Sequence, residues 1–252
     1  MREKEILLND FAIRCFRDTA DRDYISARVA YRCRFVANFY WSSLQAIEKY
    51  FKCIFLLNRV VARDISHDLT KALAHTSKLP FPLELSESSF KIIEELNKFG
   101  RFRYLEASYY IHGPKLFELD KAVWEIRQYC RVLKYNITLD NGDKKCMLDF
   151  EIEATQNQIR NPSHSTLLFG GVIESILEKR GHPARKHLIW KNAFFSLKRI
   201  NKVNVPSYFA ATNAPLTLHP HILEEVAGYV FLPKDVISAY KEYREQMPGR
   251  VP

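Results

Sequence analysis

Four groups of side chains in this sequence have the types and spacing to do chemistry. In Ser43-Leu44-Gln45-Ala46-Ile47-Glu48-Lys49-Tyr50-Phe51-Lys52, Gln45, Glu48 and Lys52 share one stripe of a helix. Ala46, Ile47 and Tyr50 lie opposite them, and Glu48 precedes Lys52 in the order that favours an ion pair. With Lys49 and Asp68 they form a candidate ligand-binding set, or simply a salt bridge that fixes helix packing. The second group is Arg63-Asp64-Ile65-Ser66-His67. An arginine and a histidine one helical turn apart can face one phosphate, the imidazole exchanging a proton and the guanidinium neutralising charge. The same segment also reads as a helix N-terminus with His67 hydrogen-bonded to a neighbouring helix. Arg160 and His164 repeat the spacing, although Pro162 belongs in a first helical turn and would leave Arg160 outside it. The fourth group is the acid-free stretch from Lys179 to Lys202. Its Arg185, Lys186, Lys191, Lys198 and Arg199 alternate with Trp190, Phe194 and Phe195. Such a surface can neutralise phosphates and stack on bases; equally, the aromatics can be core and the lysines a solvated face.

Those groups need a frame, and the apolar spacing supplies a helical one. Positions Val36, Phe39, Tyr40, Ile47, Tyr50, Ile54 and Leu57 follow the three-and-four rhythm of an amphipathic helix. No Gly or Pro interrupts 23–61, so the pattern predicts one long helix with a possible break near Asn38 or Ser42. Shorter helices are expected over 64–75, capped by Asp64, over 86–99, opened by Ser86 and closed by Gly100, and over 119–133. Asn141-Gly142 signals a short hairpin near 135–150. Beyond it the pattern predicts helices over 167–179, 187–199, 221–229 and 234–246. Asp18, Asp21 and Asp23, with Arg17 and Arg22, read as a solvated or capping turn. The expected architecture is mostly α: a bundle over 1–135 and a helical extension over 136–252 packed on it.

The run Gln45-Ala46-Ile47-Glu48-Lys49-Tyr50-Phe51-Lys52, followed by Arg63-Asp64-Ile65-Ser66-His67-Asp68-Leu69, resembles the HEPN family (higher eukaryotes and prokaryotes nucleotide-binding domain). Arg103-Tyr104-Leu105-Glu106 and the 119–129 helix extend the resemblance over roughly residues 20–135. It implies a four- or five-helix up-down bundle, commonly a homodimer, that binds nucleotides or RNA. Many members are metal-independent endoribonucleases of bacterial or archaeal defence and toxin systems; others are non-catalytic interaction modules. Their active forms leave four to six residues between Arg and His, whereas three residues separate each pair here.

Composition narrows the alternatives. The chain has 252 residues, a net charge of +9, 17 Phe, 13 Tyr and only 8 Gly. Without a glycine-rich loop, a nucleophile elbow or a zinc-protease motif, P-loop, Rossmann and common hydrolase readings have no support. His219 and His221 lack companions at metal spacing, so no metal or cofactor is expected. Five cysteines without a C-x-x-C pair suit a reducing compartment. No apolar run approaches the ~18 residues of a membrane span, and the expected address is cytoplasmic.

Overall fold

The computed structural model describes residues 3–100, 106–131, 135–160, 170–196, 203–204 and 207–246. The protein is mostly helical, with two small antiparallel sheets. By contacts it divides into two compact units, Met1–Arg101 with Pro114–Val205, and Phe102–Gly113 with Pro206–Pro252. The boundary expected near 135 therefore falls inside the first unit.

In the first unit α1 (Glu3–Phe11) runs through a π-helical segment (Ala12–Arg17) into α2 (Asp18–Arg32). The Asp18 N–H reaches back five residues to the Ile13 carbonyl. The break in the long helical pattern comes at 33–35, where Arg34 takes a φ of 60°, rather than at Asn38 or Ser42. α3 (Val36–Leu57) is the centre of the unit. Phe39, Leu44, Ile47, Tyr50, Phe51 and Ile54 on it are fully buried, each contributing about 1.5–3 kcal/mol of apolar burial. α2, α4 (Leu69–His75), α5 (Glu87–Phe99) and α6 (Lys115–Gln128) pack against it.

Ser86 caps α5 as expected, its hydroxyl accepting the Ser89 N–H. Gly100 closes that helix for a reason other than left-handed backbone. Its φ is −65°, but an added Cβ would stand 2.6 Å from the Leu96 carbonyl and 2.8 Å from Leu44 Cβ. α6 continues as a 3-10 turn, Tyr129–Arg131; residues 132–134 lie outside the described ones. The hairpin is present as β2 (Asn136–Thr138) against β3 (Lys144–Cys146), with Gly142 at φ 84° in its turn. α7 (Leu148–Arg160), α8 (Val172–Glu178) and α9 (Arg185–Leu188) come next along the chain.

Two expected helices are corrected. The one over 64–75 begins only at Leu69. His67 sits at φ 52°, outside helical space, and Asp68, not Asp64, is the cap, accepting the Lys71 N–H at 3.0 Å. The Leu69 N–H is taken by Asn97 Oδ1 at 2.8 Å. The helix over 187–199 stops at Leu188. To continue, the His187 and Trp190 carbonyls would have to accept from Lys191 and Phe194; instead both accept from the Arg28 guanidinium. Asn192 Oδ1 meanwhile accepts the Phe194 and Phe195 N–H groups at 3.0 Å, a side-chain turn that replaces the helical ladder.

The second unit pairs β1 (Tyr109–Ile111) with β4 (Ala210–Thr212). Its core gathers Leu216 of α10 (Pro215–Leu218), Leu223 of α11 (Leu223–Tyr229), Leu232, and Val236 and Tyr240 of α12 (Lys234–Gln246). Hydroxyls of Ser108, Thr217 and Tyr240 link in a chain of 2.9 and 3.0 Å contacts. No described helix is long and apolar enough to cross a membrane.

Candidate functional site

Gln45, Glu48 and Lys52 share a stripe of α3, and the loop leading into α4 brings His67 onto it. His67 Nδ1 lies 2.7 Å from Glu48 Oε2, and Lys52 Nζ donates to Glu48 Oε1 at 2.5 Å. Glu48 is buried, while the His67 side chain is 44% exposed, which leaves one edge of the ring open to a ligand. A carboxylate only accepts, so Nδ1 carries a proton. The Gln45 amide nitrogen stands 3.0 Å from the same Nδ1; turned over, its oxygen would share that proton. Nε2 has no hydrogen-bond partner among the described residues. The Trp41 ring meets the imidazole edge-on at 5.4 Å.

A left-handed backbone costs a non-glycine residue roughly 1–2 kcal/mol. His67 keeps it because Glu48 holds the side chain from one side while Asp68 and Asn97 fix the start of α4. A buried acid that orients a half-exposed imidazole is the arrangement of a general base. Arg63 is exposed and makes no hydrogen bond or ion pair with the described residues. With Lys52 it lines a cleft of about 540 Å³.

Other expected site residues lie elsewhere or act otherwise. Lys49 turns to Asp23, away from Glu48. Asp68 caps α4 and does not orient the imidazole. Arg160 is bound through both oxygens of Glu84, at 2.7 and 2.9 Å, and His164 lies outside the described residues. In the basic stretch Arg185 donates to the Leu177 carbonyl at 2.9 Å. Lys186 and Lys191 are exposed, and Lys198 and Arg199 lie outside the described residues. Trp190 carries Arg32 over its ring at 4.8 Å and Lys191 at 5.6 Å. Phe195 is fully buried, and Phe194 packs on Phe117 and Trp124, so these aromatics serve the core. Among the described residues no group of His, Cys, Asp and Glu is gathered for a metal ion.

A buried charged cluster was missed by pattern reading. Asp21, expected in a solvated turn, is fully buried. It accepts from Tyr50 Oη at 2.7 Å and from Arg127 Nε and Nη2 at 2.7 and 2.8 Å. Arg127 also donates to both oxygens of Glu174 at 2.7 Å. Beside it Arg28 pairs with Asp120, which also accepts from Tyr24 Oη at 2.6 Å. Burial alone would lower the two arginine pKa values, but the facing carboxylates more than offset it and hold both charged. A signal was present: Asp21, Tyr24, Arg28 and Tyr31 recur at helical spacing among Ala20, Ala27 and Ala30, placing charge on the apolar stripe of α2.

Comparisons with protein-family models, with curated proteins and with solved structures find no match to this chain.

Proposed function

We propose that the chain is a HEPN-like protein that binds the phosphate of a nucleotide or RNA at the Gln45, Glu48, Lys52, Arg63 and His67 cluster, with phosphodiester cleavage as its chemistry. The observation that carries this reading is the half-exposed His67, fixed through Nδ1 by buried Glu48, whose other oxygen holds Lys52, a residue that shares a cleft with Arg63. In the reaction Nε2 takes the proton of a ribose 2′-hydroxyl, and that oxygen attacks the adjacent phosphorus. The bond to the 5′ oxygen breaks, and the leaving oxygen takes a proton from water. Arg63 and Lys52 offset the charge that grows on the phosphate oxygens. The products are a 2′,3′-cyclic phosphate and a free 5′-hydroxyl, and the substrate's own hydroxyl supplies the nucleophile.

The test is incubation of purified protein with mixed RNA in a chelator, beside His67→Ala and Glu48→Gln. Wild type should release cyclic-phosphate ends, and His67→Ala should slow release by about 100-fold or more. Retention of RNA without cutting would leave a non-catalytic binding module. Neither cutting nor retention at low salt would reject both.

A further inference from the structure

The cleft that Lys52 and Arg63 share is also lined by rings and an aliphatic side chain: Phe11, Phe16, Phe55 and Val61. No acid lines it, so its lining combines cations with apolar groups. Lys52 belongs at once to this cleft and, through Glu48, to the His67 cluster. Its volume of about 540 Å³ lies within the usual range of roughly 300–1,000 Å³ for small-molecule pockets. Phe11 is 51% exposed and meets Phe16 edge-on, 5.8 Å between centroids, which leaves ring surface open to a stacking partner.

The π-helical segment is what lets both rings serve one cleft. Residues five apart on a regular α-helix point about 140° away from each other, at 100° per residue. Over Ala12–Arg17 the backbone bonds span five residues, so positions 11 and 16 stand nearly one above the other. Such insertions are rare and frequently mark functional sites.

From the rings, the cations and the shared Lys52 we infer that this cleft receives the base of an unpaired ribonucleotide whose phosphate lies at Arg63 and His67. The inference rests on the proposed phosphate site and adds to it a stacking subsite for the base. A duplex does not fit, because a base must leave its stack to reach an aromatic face. Free nucleoside monophosphate and single-stranded RNA carry the same chemistry.

Fluorescence anisotropy with the full chain separates the parts. The probes are a labelled ten-nucleotide oligouridine, an abasic ribose-phosphate strand of the same length, and a duplex. Wild type should bind the oligouridine roughly tenfold more tightly than the abasic strand, the size expected for stacking of a base. Phe11→Ala should erase that preference with abasic binding unchanged. Phe11→Trp, which retains an aromatic face, should keep it. Arg63→Ala should weaken both strands alike. Displacement of the oligouridine by uridine monophosphate at matched concentration would identify the free nucleotide as the source, and its failure the strand. Equal affinity of wild type for oligouridine and abasic strand would overturn the base subsite and leave the phosphate site standing. So would an unchanged preference in Phe11→Ala. Absence of binding to every probe would overturn both.

Discussion

Two sets of charged side chains hang from α2 and α3, and they differ in what is left over. Around Arg127, four of the five guanidinium N–H groups are matched to Asp21 and Glu174 oxygens, with no exposed surface on Arg127 or Asp21. Around His67 one buried carboxylate is shared between an imidazole and an ammonium, while Nε2, and Arg63 earlier in the same loop, have no hydrogen-bond partner among the described residues. The first set joins α2, α3, α6 and α8 and has nothing to offer a ligand. The second lies on one helix and a strained loop and keeps its donors and acceptors available. Charge by itself thus does not separate a strut from a site; unspent hydrogen-bonding capacity beside an opening does.

Substitutions in the two sets should therefore fail in different assays. Arg127→Ala leaves two buried carboxylates facing each other and should cost about 3–5 kcal/mol in urea unfolding; a loss under 1 kcal/mol would mean that this cluster is wet. Gly171→Ala tests the same strut from outside. The new Cβ would stand 2.0 Å from Glu174 Oε2 and 2.5 Å from Arg127 Nη2. The expected cost is about 1–3 kcal/mol, read as a lowered thermal midpoint with RNA binding per folded molecule unchanged. His67→Ala should reverse that pattern, with folding stability altered by no more than about 1 kcal/mol and RNA cleavage lost. A large fall in stability would move His67 to the structural side of the comparison.

The smallest effect is in alkali. Burial pushes the Tyr129 phenol up to about 12 from an ordinary value of 10.0, and Tyr24 and Tyr50 are raised as well, again first by burial. A folded-state pKa raised above the unfolded one gives stability that is full below pH 10 and lost as pH climbs through about 12. Tyrosinate absorbance should therefore rise together with loss of helical circular dichroism in that window. Tyr129→Phe should flatten part of the dependence; phenol ionisation ahead of unfolding would contradict it.

Helix content was legible from apolar spacing alone, and so were the Ser86 cap, the Asn141-Gly142 hairpin and the helix from Lys234 to Gln246. The Gln45, Glu48 and Lys52 stripe was legible too, because all three lie on one regular helix. What spacing could not convey was the capture of backbone groups by distant side chains. Arg28 takes two carbonyls of the 187–190 segment, and the only local sign of the ending is Asn192, whose side chain takes the Phe194 and Phe195 N–H groups. His67 likewise reaches Glu48 because its backbone leaves helical space, whereas a helix through 64–75 would have aligned it with Arg63. The role of Asp21 escaped for the same reason, since its partner Arg127 is 106 residues away.

The π-helical segment also sets a mechanical phase. One inserted or deleted residue rotates the two flanking parts of an α-helix by about 100° relative to each other. Removal of one residue within Ala12–Arg17 would let the whole stretch from Glu3 to Arg32 relax into regular α-helix. With one residue removed between them, Phe11 and Phe16 would stand four apart on regular helix, about 40° from each other. α2, pinned by Asp21 and Arg28, would stay in place, and both rings would keep the same face. One residue added instead, with the slack of the π turn already spent, would turn α1 by about 100°, swinging Phe11 off the cleft while Tyr24 and Arg28 kept their partners.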